Sequence, residues 1–120
     1  MADQLNDDAI QSLKKRRSQR IELSVPVAVH RSPKEGPQFY ESTHTLVINA
    51  HGALMALGAI LVPRQKLLMQ NLSSGEQQEC RVVHVEKDLT GPTRVAVEFT
   101  SPAPRFWRIA YPPADWTANT

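Results

Sequence analysis

The sequence predicts an all-β fold: six short antiparallel strands closed into a barrel, with a short helix before them and a short helical segment after them. Three observations predict it. From Ile21 to Val29 apolar and polar residues alternate, which is the period of a half-buried strand. Five further apolar stretches follow, each bounded by residues that form turns or loops. Their spacing is regular, which argues for an antiparallel barrel or sandwich. Closing the sheet removes the exposed edges that a small all-β chain must protect.

The elements follow in order. Asp7 to Arg17 reads as a short helix. Asp7 or Asp8 caps its N-terminus, and Ile10 and Leu13 give it one apolar side. Its lysines and arginines sit at the C-terminal end, where the helix dipole favours cations. The first strand, Ile21 to Val29, puts Ile21, Leu23, Val25, Val27 and Val29 on one face. Pro26 cannot donate to a ladder, so this strand lies at an edge or carries a bulge. Arg31 to Pro37 is a loop. Phe39 to Asn49 is the second strand, Ala50-His51-Gly52 a tight turn with Gly52 able to take positive φ, and Ala53 to Leu57 the third strand. Pro63-Arg64 is a turn with proline at its second position. Lys66 to Asn71 is the fourth strand and Ser73-Ser74-Gly75 a turn. Gln78 to Val85 and Thr93 to Phe99 are the last two strands, separated by the loop from Asp88 to Pro92. Ala103 to Ala110 forms one or two helical turns whose Phe106, Trp107, Ile109 and Tyr111 plug an end of the barrel. Pro112-Pro113 stops that segment, Trp116 packs back, and the last four residues are loose.

The 120 residues fit one domain: an extension over 1–13, the barrel over 14–111 and a tail over 112–120. A hydrophobic content of 41% is too high for general disorder. The net charge of +2 is too weak to imply nucleic-acid binding, and aromatics at 6% form no regular stacking platform on the strands. The distribution of charge says more. Lys14, Lys15, Arg16, Arg17 and Arg20 crowd one stretch, just after Asp3, Asp7 and Asp8. Such a local cluster suits a small anion.

Cys80 is the one cysteine, so no internal disulfide forms, and a lone thiol suits a reducing compartment. It reads as a small core residue. Met1 to Asn6 lacks an apolar signal core, and the longest apolar stretch, Gly52 to Val62, is too short to span a bilayer. The expectation is a cytoplasmic protein without a membrane span. His30, His44, His51, His84 and Cys80 show no metal-ligand spacing. No glycine-rich phosphate loop, nucleophile elbow or acid pair is present, so neither a metal, a cofactor nor enzymatic activity is expected.

One constellation carries a family resemblance. Arg16-Arg17-Ser18-Gln19-Arg20, followed directly by the alternating strand, resembles the R-x-x-x-R opening of a PilZ domain, with Arg16 and Arg20 at the matching spacing. The hairpin window from Val47 to Gly52 is similar to the family's D/N-x-S-x-x-G element. Val47 stands at its acid or amide position and Asn49 at its serine position. Arg81-Val82-Val83 and Val95-Ala96-Val97-Glu98-Phe99 resemble the family's last two strands, with Ala96 where glycine is usual. The likeness runs from about Lys14 to Phe99.

The resemblance implies a six-stranded, PilZ-like split barrel and a receptor for cyclic di-GMP, a dianionic cyclic dinucleotide. The ligand-binding residues it implies are Arg16, Arg17, Arg20, Asn49 and Gly52. The chemistry suits them. A guanidinium presents a planar fork of donors to phosphate oxygens or to guanine O6 and N7, and it stacks on a guanine face. Ligand binding would order the arginine segment and signal to a protein effector that the sequence does not identify. The alternative is a PilZ-like adaptor that kept the barrel, lost the nucleotide through Val47 and the missing serine, and acts by protein–protein contact.

Overall fold

The computed structural model describes residues 19–31, 38–87, 90–110 and 112–118. The expected helix over Asp7–Arg17 lies outside them. Six strands are present: β1 (Pro26–Arg31), β2 (Tyr40–Asn49), β3 (Gly52–Leu57), β4 (Lys66–Asn71), β5 (Gln77–Glu86) and β6 (Thr93–Phe99). A four-residue helix, α1 (Asp115–Ala118), follows. All neighbouring strands are antiparallel, and the order β1-β2-β3-β6-β5-β4 closes on itself through the β1–β4 pair. Closure gives every strand two partners and leaves no ladder edge.

The interior follows from the period of two. Val27 and Val29 of β1, Ile48 of β2, Met55 and Leu57 of β3, Leu67 and Met69 of β4, Val82 of β5 and Val95 of β6 all point inward and are fully or almost fully buried. Each such side chain contributes about 1.5–3 kcal/mol relative to exposure. Cys80 belongs to this core, and burial pushes its thiol up to about 12. It stays a neutral packing residue at physiological pH.

The first strand starts later than the alternation suggests. Regular pairing begins at Pro26, not Ile21. Upstream, only Ile21 forms a bridge, to Ile48. Between them the hydroxyl of Thr45 replaces ladder partners: its Oγ1 accepts the Val25 N–H at 2.9 Å and donates to the Leu23 carbonyl at 2.6 Å. The register of β2 against β3 shifts at the same place, between Thr45 and Val47. Leu23 is exposed, and Ala28 is buried along with its neighbours Val27 and Val29, both against the simple alternation. Pro26 opens β1, a position where a missing N–H costs little.

The turns follow their residue types except at Arg64 and Gly52. Gln65 N–H donates to the Val62 carbonyl across Pro63-Arg64, with Arg64 at φ 77°. That is the type II pattern, in which glycine is usual at the third position. Gly75 takes φ 83° at the β4–β5 turn. Gly52 opens β3 and does not have positive φ. A Cβ on it would collide with the Val97 carbonyl oxygen and lie 3.0 Å from Glu98 Cα. The residue is small because β6 approaches closely, not because the turn demands an unusual backbone angle.

Beyond β6 the chain packs Phe106, Trp107 and Ile109 against the core, as expected of them, while Tyr111 lies outside the described residues. Phe106 packs edge-on to Phe99 at 5.2 Å and to Trp107 at 4.9 Å between ring centroids. Buried Asn71 donates through Nδ2 to the Phe106 carbonyl, while its Oδ1 accepts the Ser73 N–H, so both ends of the amide are satisfied. Arg108 donates to Glu76 at 2.7 Å and ties this segment to the β4–β5 turn. Its guanidinium holds the Glu76 carboxyl below the ordinary range, chiefly through that hydrogen bond. Pro104 to Trp107 form turns without a helix; the helical residues are at α1 instead. Pro104 disfavours the helical conformation at Ala103, and Arg108, at φ 57°, turns the chain out of the right-handed helical region before a second turn can form.

Candidate ligand-binding site

The β2–β3 hairpin is a two-residue connection, Ala50-His51. Asn49 closes it: its Oδ1 accepts the His51 N–H at 2.8 Å. This is an Asx turn, which pins the loop without using the ladder. His51 is half-buried at the tip, less open than a hairpin apex suggests, and its carbonyl accepts the Phe99 N–H at 2.7 Å. Trp107 donates its indole Nε1–H to the Asn49 carbonyl at 2.8 Å. The lip of the barrel is therefore held from three directions.

Ile48 and Ala50 are buried, so Asn49 points outward. Strand register then lines up one row across the outer wall. Asn49 pairs with Gly52, Gly52 with Glu98, Glu98 with Arg81, and Arg81 with Lys66. The next row is Val47, Leu54, Ala96 and His84. Gly52 and Ala96 make the middle of these two rows low, with apolar Val47 and Leu54 beside it.

Arg20 lies next to this surface. Ile21 and Ile48 exchange both backbone hydrogen bonds at 2.8 Å. In an antiparallel pair the residues flanking such a bridge lie opposite each other and project to the other face. That sets Arg20 beside Asn49 and Glu22 beside Val47, outside the barrel. Both Arg20 and Glu22 are exposed. Arg16 and Arg17 lie outside the described residues. Of the residues implied by the R-x-x-x-R and hairpin elements, Arg20, Asn49 and Gly52 are brought together. Asn49 Oδ1 is engaged within the turn, which leaves Nδ2 as the donor of this side chain. Gly52 is buried by the neighbouring strand, and its share in the site is the absence of a side chain.

Comparison with known proteins places the fold. No protein-family model matches the sequence, and no curated protein does. Among solved structures, the PilZ domain of CeSA from a cellulose-synthesizing bacterium superposes with a TM-score of 0.52 and 19% identity, over 70% of this chain and 82% of that one. The chain has a PilZ-like fold. The Bacillus subtilis inhibitor of motility (MotI/DgrA) is similar with a TM-score of 0.57 and 18% identity, over 73% of this chain. This chain spans 44% of the length of that protein.

Several residues of this surface carried no signal in the sequence. Glu22 reads as one polar member of an alternating strand. Gln19 is 96 positions from Asp115 and 97 from Trp116 and meets them only in three dimensions. Gln19 N–H donates to the Asp115 carboxylate at 3.0 and 3.2 Å, and Trp116 Nε1–H donates to the Gln19 carbonyl at 2.7 Å. A tryptophan in a polar tail is the one hint that the tail docks. Among the described residues no group of three or more histidine, cysteine or acidic side chains could hold a metal ion, and no helix is long and apolar enough to cross a membrane.

Proposed function

We propose that this chain is a cyclic di-GMP-binding receptor or adaptor domain, in which an arginine arm and the lip of the barrel grip the nucleotide and present the ordered arm to a protein partner. The observation that carries the reading is the Ile21–Ile48 bridge. It joins Ile21 to β2 next to the hairpin, which supports a reading in which Arg20, Asn49 and Glu22 share one face.

Each residue has a role that its chemistry supports. Arg20, with Arg16 and Arg17 upstream, addresses phosphate oxygens or the O6/N7 edge of guanine. Asn49 Nδ2 donates to a guanine acceptor. The hairpin's Val47 offers no acceptor for the guanine N1–H and N2–H groups, and Glu22, opposite it, brings a carboxylate to that place. The low apolar strip of Val47, Leu54 and Ala96 lies under the base. This binding role, with no catalytic constellation in the sequence, fits a non-enzymatic module that works in the cytoplasm.

Calorimetric titration of the full chain with cyclic di-GMP tests the reading. Measurable heat, lost in Arg20→Ala and in Arg16→Ala, is the expected result. No heat and no NMR shifts at residues 20–22 and 47–52 with excess nucleotide would remove it. A second reading, a ligand-independent adaptor, draws on the engagement of Asn49 Oδ1 within its own turn and on Val47. It predicts capture of the same protein partner with and without nucleotide.

A further inference from the structure

Two tryptophans from the C-terminal segment hold the two halves of the candidate site. Trp107 donates its indole N–H to the carbonyl of Asn49, on the hairpin. Trp116 donates its indole N–H to the carbonyl of Gln19, on the arm. The second hold is the more unusual. Gln19 has one backbone donor and one backbone acceptor, and neither is used in a strand ladder. Both go to α1, the donor to the carboxylate of Asp115 and the acceptor to the indole of Trp116. Trp116 is 1% exposed, so its ring is seated in the barrel end while its N–H reaches the arm. Packing of the ring alone would not require either hydrogen bond.

We propose that α1 is a latch that positions Arg20: Asp115 and Trp116 hold Gln19, and this hold is coupled to the grip of Arg20 on the nucleotide. The coupling rests on the cyclic di-GMP reading above; the latch itself does not. Gln19 directly precedes Arg20. Ile21, on the other side of Arg20, is fixed to β2, and Gln19 is fixed to α1, so Arg20 is held at both of its neighbours. Without the latch, one of these two holds is gone. A ligand that needs Arg20 in this position binds with its intrinsic affinity multiplied by the fraction of chains in which Arg20 is so held. Linkage makes the effect reciprocal: nucleotide on Arg20 tightens the docking of α1, and release of α1 weakens the nucleotide. Anything that engages residues 115–118 would thereby read or set the state of the ligand site.

Asp115 and Trp116 are positioning residues, and the test needs a readout that bulk stability does not move. In the full chain, the amide exchange rate of Gln19 is measured by NMR in the wild type, Asp115→Ala, Asp115→Asn and Trp116→Phe. The phenylalanine keeps a ring in the pocket and removes the N–H. The amides of Val82 and Val95, in the barrel wall, report global opening. Cyclic di-GMP is then titrated into each. The expected result is roughly tenfold or faster exchange at Gln19 in Asp115→Ala, with Val82 and Val95 unchanged, and roughly tenfold weaker nucleotide binding in Asp115→Ala and Trp116→Phe. Asp115→Asn, which retains a carbonyl acceptor, recovers most of both. Unchanged Gln19 exchange in Asp115→Ala overturns the latch. Faster exchange with unchanged nucleotide affinity overturns the coupling. A wild-type chain that gives no nucleotide binding overturns the cyclic di-GMP reading and the coupling with it, while Gln19 exchange still decides the latch.

Discussion

Replacing Gly52 with alanine separates two explanations for this glycine. If the residue were present for an unusual turn angle, the cost would come from backbone strain. Its φ is not in the positive region, so alanine suffers no such strain. At a position of ordinary backbone angle, glycine to alanine usually stabilises by about 0.4–1 kcal/mol, because the unfolded chain loses freedom. Here the new methyl meets the Val97 carbonyl oxygen well inside van der Waals contact, and Glu98 Cα at 3.0 Å. These are backbone atoms of β6, fixed by the pairs Gly52–Glu98 and Ala53–Val97. They cannot rotate away as a side chain can. The strands must part locally, which strains or breaks adjacent ladder bonds. Overpacking of this kind costs about 1–3 kcal/mol, and one lost hydrogen bond adds about 1 kcal/mol. After the entropic gain, a net destabilisation of about 2–3 kcal/mol is expected. For a domain of this size that is a fall in Tm of roughly 8–20 °C. Thermal melting followed by circular dichroism measures it. Gly58 is the control: its new Cβ would meet only the flexible Glu41 side chain, at 3.4 Å, and its Tm should move by about 3 °C or less. An unchanged or raised Tm in Gly52→Ala would refute the steric account of this hairpin.

Three further outcomes follow from the same geometry. Glu22→Ala should weaken cyclic di-GMP by roughly ten- to a hundredfold, and Val47→Asp in that background should restore much of it, because an acceptor returns to the same place on the outer wall; calorimetry of the pair checks this. Arg64 occupies the glycine position of a type II turn at φ 77°, so Arg64→Gly should raise stability by up to about 1 kcal/mol, read from denaturant midpoints. Cys80 has a thiol pushed from 9.0 up to about 12 by burial, whereas the unfolded chain ionises near its ordinary value. The stability it contributes is complete below pH 9 and is lost as pH rises from there toward 12. The slope reaches about 1.4 kcal/mol per pH unit, and Cys80→Ala should remove this dependence.

The sequence by itself determined the class of the fold and most strand positions. Alternation in Thr93–Phe99 and the Pro, Gly and Asn punctuation between strands are local signals, and a strand and its turn are decided within a few residues. The arginine spacing and the hairpin window were likewise visible, because each is a short linear pattern. The start of β1 was not. The side chain of Thr45, twenty residues away from Val25, takes a ladder position there, and no local periodicity reports that. The reason for Gly52 was hidden in the same way. It depends on the carbonyl of Val97 in a strand that becomes its neighbour only when the barrel closes. Tertiary structure alone set Glu22 across from Val47 and joined Gln19 to Asp115 and Trp116. Contacts between residues so far apart arise from how the closed barrel brings its two ends of chain to one rim. Their energies depend on distances of about 3 Å that no pattern of residue types encodes.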